Sequence, residues 1–416
     1  MEMCMSRIRG PYVRFCERDE AETPHPTRCL MFSAVPPFFN LEKPVNYQII
    51  VNQTELERVC QLAREVDTVM LDTEFVRTRT YFPQLGLIQL FDGENLSLID
   101  PTEIDDMSAF TALLKDTAVV KVLHACGEDL EVFAHSFGTM PTPMIDTQIM
   151  AAFLGHGLST GFAALAKEYL DIELDKSEAR TDWLARPLTE KQLEYAAADV
   201  FYLQPIYQKL EVAVQEAGWW EAVQQESDLV VSKRAVRHVP DVAYIDVKGA
   251  WQLQPKQLAT LQILAKWRVE EAIKRDLALN FVFREQDMLE CARLNIKSLK
   301  KMEQEGFDFR EIRRHGNRVI AMVKEGELVP EEEWPQAIDR LMDLPGYKQL
   351  FKDLKDEVKR AAQATGLATE FLASKKQLNQ VFTWVWKKDR DPSTLPDTMQ
   401  GWRLEVLGEK LIKHFD

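Results

Sequence analysis

The chain has 416 residues, enough for two to four domains that each bury a core of their own. Hydrophobic residues make up 46% of it, and no apolar run approaches the roughly 18 residues of a membrane span, which excludes a membrane-spanning protein. The six cysteines form no C-x-x-C pair and the first 20 residues lack a signal-peptide core. We therefore expect a cytoplasmic protein with reduced thiols and no zinc site.

The net charge of −15 is concentrated in one segment of the chain. Residues 45–220 hold 12 Lys and Arg against 28 Asp and Glu, whereas residues 221–416 hold 33 against 32. An acidic surface of this kind keeps a protein soluble and repels nucleic acid. Alternatively, some of these acids face inward and hold cations, and charge alone does not decide between the two.

The first half of the chain predicts an α/β domain. Residues 1–44 carry six prolines and no hydrophobic period, which predicts a disordered extension. Short apolar runs at 69–76, 85–91 and 96–99 predict three successive strands, the first apolar on both faces and therefore buried. This order predicts a mixed sheet covered by helices over residues 45–220. Further strands are predicted at 119–123 and 144–145, and helices at 110–114, 128–137 and 148–154.

A long helix closes this domain. The run from Thr189 to Gln192 has the form of a capping box, and apolar residues at helical spacing continue to Leu210. Residues 221–250 lose this periodicity, which predicts a linker. Five apolar positions between residues 277 and 288 recur 90 residues later, which predicts two all-α modules, at residues 251–330 and 337–416.

Two carboxylates stand inside the first strand. Asp72 and Glu74 are two residues apart and therefore lie on the same face. A lone pair of this kind more often marks an exposed strand end. Here the flanking residues Met70, Leu71 and Phe75 indicate a central strand, where such a pair is costly unless cations neutralise it.

A second pair of polar residues stands on the long helix. Tyr195 and Asp199 are four residues apart and share a face, with three alanines between them that allow close approach to a sheet. Asp129 begins the helix after the strand 119–123, where an acid also stabilises a helix dipole and where Glu128 remains an alternative. A ligand set of carboxylates without Cys or His suits Mg²⁺ or Mn²⁺. Two such ions can stabilise the attacking and leaving oxygens during cleavage of a phosphodiester.

Three segments resemble the exonuclease motifs of the DEDD superfamily in its tyrosine-bearing branch. They are residues 69–77 (VMLDTEFVR), 123–130 (LHACGEDL) and 195–199 (YAAAD). Residues 71–90 (LDTEFVRTRTYFPQLGLIQL) and 174–188 (LDKSEARTDWLARPL) narrow the resemblance to the bacterial ribonuclease D family. It extends from Tyr47 to the C terminus, and the two helical modules resemble the HRDC modules of that family, the second less clearly.

The resemblance implies a ribonuclease H-like fold and a 3′→5′ exoribonuclease that trims RNA 3′ ends, notably those of tRNA precursors, and releases 5′-mononucleotides. It implies two divalent metal ions and assigns the third acid to Asp129. Asp72, Glu74 and Asp199 are expected to hold the ion that binds the attacking water. Asp72 is expected to bridge to a second ion, which Asp129 supports through water. Tyr195 is expected to orient the attacking water or to take its proton.

The first helical module carries a sizeable basic zone, with 16 Lys and Arg against 12 Asp and Glu between residues 248 and 330. A charge run is usually a solvated face, but an RNA enzyme with an acidic domain needs phosphate contacts elsewhere. We therefore predict RNA contact there. The expected partner is RNA, with no membrane and no obligate protein partner, and the chain is expected to act as a monomer. The candidate RNA-binding residues are Lys300, Lys301, Arg313 and Arg314.

Two other functions fit the same residues. A DNA 3′→5′ exonuclease would use the same acids, because only contacts to the 2′-hydroxyl distinguish RNA from DNA. A non-catalytic RNA-binding protein of the same fold would be favoured by loss of any of the four acids or the tyrosine. All five are present, which favours an enzyme.

Overall fold

The computed structural model describes residues 45–235 and 239–416, so the prediction for residues 1–44 lies outside the described part of the chain. A six-stranded sheet has the order β1-β4-β3-β2-β5-β6. β3 is antiparallel to both β2 and β4, whereas β1 is parallel to β4, β5 is parallel to β2 and β6 is parallel to β5. The predicted mixed sheet is confirmed. The strands are β1 (Gln48–Ile50), β2 (Thr68–Val76), β3 (Gln84–Phe91), β4 (Leu96–Ile99), β5 (Val120–Leu123) and β6 (Met144–Asp146).

Helices cover both faces of this sheet. One face carries the core built from Leu71, Ile88 and the first three helices, α1 to α3. The long helix α6 packs across β2, β3 and β4 on the opposite face, toward which Asp72 points. The helices of this half are α1 (Gln53–Ala63), α2 (Ser108–Lys115), α3 (Gly127–Phe137), α4 (Thr147–Phe153), α5 (Phe162–Leu170), α6 (Glu190–Glu216) and α7 (Trp220–Ala235).

The start of α6 is determined by the predicted capping box. The Thr189 hydroxyl accepts a hydrogen bond from the backbone N–H of Gln192 at 3.2 Å, and the Gln192 side chain accepts one from the backbone N–H of Thr189 at 3.0 Å. Two of the N–H groups that lack intrahelical partners are thereby satisfied. The Gln192 amide also donates to the Thr181 hydroxyl, which ties the preceding loop to the helix.

The segment predicted as a linker differs from the expectation. Residues 221–250 contain most of α7, which packs against α3, α4 and β6 on one side and against residues 401–403 on the other. A helix covered on two sides lacks the one-sided apolar stripe that sequence periodicity detects. Helix α7 is therefore a structural connection between the sheet domain and the second helical module.

The two helical modules contain a matching pair of consecutive helices. Helices α9 and α10 are followed 90 residues later by α14 and α15, which agrees with the repeat in the sequence. Across residues 45–235 and 239–416, no helix is both long and apolar enough to cross a membrane. The helices are α8 (Pro255–Arg275), α9 (Leu279–Val282), α10 (Glu285–Leu294), α11 (Leu299–Gln304), α12 (Phe309–Leu328), α13 (Tyr347–Thr365), α14 (Thr369–Leu372), α15 (Lys375–Lys387), α16 (Gly401–Arg403) and α17 (Glu409–Ile412), with a π turn at Leu404–Gly408.

Candidate active site

The first two acids lie at the centre of the sheet. β2 is hydrogen-bonded to β3 on one side and to β5 on the other, so Asp72 and Glu74 belong to a strand with no free edge along its first half. The pairing with β3 shifts between Glu74 and Phe75, where Gly86 is the extra residue on β3. A Cβ at Gly86 would lie 2.4 Å from the carbonyl oxygen of Trp183, so only glycine allows this close approach.

Helix α6 brings the second pair to the first. Carboxylate oxygens of Asp72, Glu74 and Asp199 lie within 4.8 Å of one another. The Tyr195 hydroxyl donates a hydrogen bond to Asp199 one turn along the helix, and the Tyr195 ring centroid is 6.1 Å from that of Trp183. Four of the predicted site residues are therefore brought together by the packing of one helix on one strand.

Asp129 completes the set from a third element. It lies in the first turn of α3, is only 7% exposed, and accepts a hydrogen bond from the Thr73 hydroxyl. Its oxygens are not part of the group within 4.8 Å, which consists of the other three acids. Thr73 lies between Asp72 and Glu74 and was not predicted as a site residue, because its contact with α3 depends on the tertiary fold.

The acids strongly oppose one another's ionisation. Burial, followed by the charges of the other three acids, raises the pKa of Asp72 well above its ordinary range. Burial and the charges of Asp199 and Asp129 raise the pKa of Glu74 to about 9. Burial also raises the pKa of Asp199 to about 7 and that of Asp129 to about 6, although a hydrogen bond to each acts in the opposite direction. The metal-free cluster therefore retains protons at neutral pH.

The donor set fits hard divalent cations. Within the described residues, no Lys or Arg forms an ion pair with any of the four acids. The exposed Lys176 acts at longer range, where its charge lowers the pKa of Asp199. Buried carboxylates without a cationic side-chain partner are stable as anions only when metal ions neutralise them. Oxygen donors alone suit Mg²⁺ or Mn²⁺ better than zinc.

The neighbouring His124 and Cys126 have structural contacts. His124 Nδ1 lies 3.0 Å from the hydroxyl of Thr147, and the Cys126 sulfur is buried 3.9 Å from that of Met144. Asp146 accepts hydrogen bonds from the backbone N–H groups of residues 125, 126 and 148, so it caps α4 and holds the loop before α3. The geometry agrees with packing and turn capping rather than with a soft-metal site.

The loop before α6 is anchored away from the acids. Arg186 donates to both carboxylate oxygens of Asp100, at 2.5 and 2.7 Å, and to the carbonyl of Gly86 at 2.6 Å. Trp183 is 1% exposed and is therefore a core anchor of this loop. Asp100 and Arg186 position Trp183 beside Tyr195 and take no direct part in the site.

The first helical module contacts the loop between β2 and β3. Asp276, at the end of α8, accepts hydrogen bonds from the backbone N–H groups of Tyr81 and Phe82 at 3.0 and 2.9 Å. The backbone N–H of Ala278 donates to the carbonyl of Arg79 at 2.7 Å. The β2–β3 loop is therefore fixed by residues 200 positions away in the chain, a connection that sequence patterns do not reveal.

The four basic candidates lie in a different place from the acids. Lys300 and Lys301 are on α11, and Arg313 and Arg314 are on α12, all with exposed side chains. Lys301 pairs with Glu305 at 2.6 Å. In the described part of the chain, the other three form no ion pair and are available to phosphates.

Comparison with known proteins identifies similar proteins over the same regions. A family model described as 3′-5′ exonuclease matches residues 47–215, one described as HRDC domain matches 257–323, and one described as ribonuclease D, C-terminal HRDC domain matches 345–411. Ribonuclease D of Serratia proteamaculans is 50% identical over 367 residues, which cover 88% of this chain and 98% of that protein.

The structural comparison agrees with the sequence comparison. The crystal structure of Escherichia coli RNase D, described as an exoribonuclease involved in structured RNA processing, superimposes with a TM-score of 0.86 at 48% identity. The alignment covers 89% of this chain and 98% of that one. Similarity of this extent includes both the exonuclease domain and the two HRDC domains. The chain therefore belongs to the bacterial ribonuclease D family of 3′→5′ exoribonucleases.

Proposed function

We propose that the chain trims RNA 3′ ends by two-metal hydrolysis of phosphodiesters, and that tRNA precursors are among its substrates. The observation that carries the proposal is the convergence of Asp72, Glu74 and Asp199 within 4.8 Å, with Asp129 electrostatically linked to them and Tyr195 hydrogen-bonded to Asp199. Two divalent ions held by such acids stabilise both the attacking and the leaving oxygen of a phosphodiester. The substrate assignment is supported by membership of the family.

The side chains divide the work among them. Asp72, Glu74 and Asp199 supply ligands from a rigid strand and a packed helix, which holds their geometry without the flexibility of a loop. Asp129 contributes negative charge from α3, and the Thr73 hydroxyl fixes its orientation. The protons that the metal-free cluster retains are released when cations bind.

Tyr195 lies where it can direct the attacking water. Burial, and then the charges of Asp199, Glu74 and Asp72, raise the pKa of Tyr195. Its hydroxyl therefore stays protonated and acts as a hydrogen-bond donor in the metal-free protein. We infer that it orients the attacking water through a hydrogen bond.

A matched pair of substrates tests the proposal. Purified full-length protein with Mg²⁺ should shorten a 5′-labelled RNA with a single-stranded 3′ extension into a ladder and release 5′-mononucleotides. EDTA and the Asp72→Asn variant should both stop the reaction. Faster laddering of the equivalent DNA would contradict the RNA assignment, and binding of RNA without turnover would favour the non-catalytic alternative.

A further inference from the structure

Gln89 is a buried polar residue in the middle of β3 that has no assigned role. Its side chain is 0% exposed. Among the described residues, neither its amide nitrogen nor its amide oxygen has a hydrogen-bond partner. Buried polar groups are nearly always hydrogen-bonded, because an unpaired donor or acceptor loses its bonds to water and gains none in return. A fully buried amide with both ends unpaired therefore requires an explanation.

The position of Gln89 connects it to the catalytic acids. It lies directly opposite Asp72 in the antiparallel pair of β2 and β3, and opposite Leu98 of β4 on its other side. Residues directly opposite each other point to the same face, with Cβ atoms about 4.5–5.5 Å apart. Helix α6 covers this face and carries Asp199. Gln89 and Asp72 are therefore neighbours on this face, and Gln89 is fully buried whereas Asp72 is half-buried.

Packing alone explains this residue poorly. Methionine or leucine would fill a similar volume between a sheet and a helix without an unpaired amide. A lysine at position 89 would bring a positive charge that competes with cations for Asp72. A glutamate would add a fifth carboxylate to a cluster whose acids already oppose one another's ionisation. A neutral amide is the side chain that donates a hydrogen bond without changing the charge of the site.

We propose that Gln89 is a positioning residue for Asp72, whose carboxylate accepts a hydrogen bond from the Gln89 amide and is thereby oriented toward the metal ions. The inference rests on the proposed function, because it presumes metal binding at Asp72. Carboxylates that bind metals are oriented by hydrogen bonds from outer residues, whose loss typically lowers metal affinity or activity about 10–100-fold. The unpaired amide in the metal-free protein is consistent with a donor that is used when the ionised carboxylate turns toward it.

Loss of the Gln89 amide should affect metal affinity and thermal stability differently. Gln89→Met removes the amide and keeps the length of the side chain, so the metal-free protein should unfold at the same temperature as the wild type or a higher one. Affinity for metal should nevertheless fall about 10–100-fold. A residue that serves packing alone would change stability without this selective loss of metal affinity.

The experiment uses full-length protein and Mn²⁺ alone, without RNA. Calorimetric titration gives the affinity for Mn²⁺, and thermal unfolding in EDTA gives the stability of the metal-free protein. Gln89→Asn is the second variant, because it withdraws the donor by one methylene and should also weaken Mn²⁺ binding. Gln204→Met is the matched control, since Gln204 lies on α6 with an amide oxygen that is likewise unpaired among the described residues. It should bind Mn²⁺ like the wild type.

Each outcome has one interpretation. Weaker Mn²⁺ binding in both Gln89 variants, with unchanged binding in Gln204→Met, supports the positioning role. Wild-type affinity in Gln89→Met or in Gln89→Asn overturns it. If Gln89→Met does not fold, the affinity of Gln89→Asn decides. Failure of the wild type itself to bind Mn²⁺ contradicts the proposed metal site instead, so the two proposals are tested separately.

Discussion

The hydroxyl of Tyr195 is held in an environment that disfavours its ionisation. It is hydrogen-bonded to Asp199, and the charges of Glu74 and Asp72 act on it as well. Burial is the largest cause of its raised pKa, and removal of the proton would also place a negative charge beside the three acids. The same contacts fix the hydroxyl at the cluster, which is the requirement for guiding a water molecule.

Tyr195→Phe tests this role at a single atom. The phenyl ring keeps its packing near Trp183, so the fold and metal binding should be retained. The rate of RNA trimming should fall about 10²–10⁴-fold, the usual range for a positioned acid–base group. Single-turnover trimming at saturating Mg²⁺ measures this rate. Tyr202→Phe on the same helix is the matched control and should trim RNA at the wild-type rate. If the rate of Tyr195→Phe fell by less than about fivefold, Tyr195 would be a packing residue.

The raised pKa values of the acids predict how pH affects the metal-free protein. In the unfolded chain these carboxyls have a pKa of about 4. In the folded protein the pKa of Asp129 is about 6, that of Asp199 about 7 and that of Glu74 about 9. A raised folded pKa contributes stability below the unfolded pKa and loses it as pH rises through the folded value. The free energy of unfolding in EDTA should therefore fall between about pH 4 and pH 9.

Asp199→Asn should weaken that dependence. The variant removes one charge from the cluster, so the metal-free protein at pH 8 should gain about 1–2 kcal/mol of stability, since one pKa unit corresponds to about 1.4 kcal/mol. The same variant should lose RNA cleavage. Urea unfolding in EDTA at several pH values gives the measurement, with Glu194→Gln on the exposed side of α6 as control. Equal pH slopes for Asp199→Asn and the wild type would argue against mutual repulsion among the acids.

Four of the five proposed catalytic positions have a local signature, whereas Asp129 is distinguished from its neighbour Glu128 only by the family resemblance. Asp72 and Glu74 interrupt an apolar strand, and Tyr195 and Asp199 repeat at helical spacing, so their types and intervals are visible in the sequence. The residues that support them have no such signature. The contacts of Thr73, Gln89 and Arg186 depend on which strands and loops become neighbours, and that information lies in the tertiary fold.

Among the elements, the same distinction explains why β1 and α7 were not predicted. The central strands and the capped helix α6 are long or strongly patterned, and all were predicted. β1 has three residues, of which only Ile50 is buried, so it is recognisable only through its pairing with β4. Helix α7 falls within the predicted linker, and its apolar pattern is weak because it is covered on two sides. Short or doubly covered elements lack the periodicity on which sequence prediction depends.

The β2–β3 loop is an element whose conformation depends on the first HRDC domain. Asp276 holds two of its backbone N–H groups, and Phe82 in this loop stacks on His135 of α3 with ring centroids 4.0 Å apart. Arg77 also donates to the carbonyl of Tyr81 at 3.0 Å. Because the loop follows Val76 at the end of β2, the HRDC domain stabilises the chain that leaves this strand.

Asp276→Ala should release this loop. Loss of two hydrogen bonds to a charged acceptor should lower the free energy of unfolding by about 1.5–3 kcal/mol. The backbone amides of Tyr81 and Phe82 should exchange with solvent faster, which hydrogen–deuterium exchange measures. Asp276→Asn is the control, because its carbonyl oxygen still accepts both bonds and asparagine tolerates the left-handed backbone at this position, with φ of 47°. Unchanged exchange in Asp276→Ala would show that the loop is held by its other contacts.

At the scale of the whole molecule, the second HRDC domain is joined to the sheet domain through α7. Arg403 of α16 is 3% exposed and pairs with Glu226 of α7, while the indole N–H of Trp402 donates to the same carboxylate at 3.2 Å. Phe153 of α4 packs edge-on against the Trp402 ring at 4.9 Å. Such a buried, hydrogen-bonded contact holds the two domains in a defined relation. Any fragment used to isolate the exonuclease domain should therefore retain α7.

The net charge differs between the exonuclease domain and the HRDC domains. The exonuclease half carries almost the whole net negative charge, which repels RNA unless cations are bound, whereas the HRDC half is nearly neutral. The exposed basic side chains of α11 and α12 are therefore the candidates for phosphate contacts, although Lys301 forms an ion pair with Glu305. Attraction through phosphates depends on salt, because neutralised phosphates release their counterions.

Replacing the four basic residues together tests whether α11 and α12 bind RNA phosphates. Lys300, Lys301, Arg313 and Arg314 changed to Ala should weaken binding of a tRNA-like substrate and reduce the slope of log affinity against log salt by about 2–4, since each phosphate contact contributes nearly one. Turnover of a short single-stranded oligonucleotide should change little, because the catalytic acids lie in another domain. Binding isotherms at several salt concentrations give the slope. The control replaces four exposed lysines of the second HRDC domain and therefore changes the net charge by the same amount. A specific RNA contact on α11 and α12 would be contradicted if both variants lost the same RNA affinity. It would also be contradicted if the variant in α11 and α12 bound RNA like the wild type. The control lysines are Lys352, Lys355, Lys375 and Lys376.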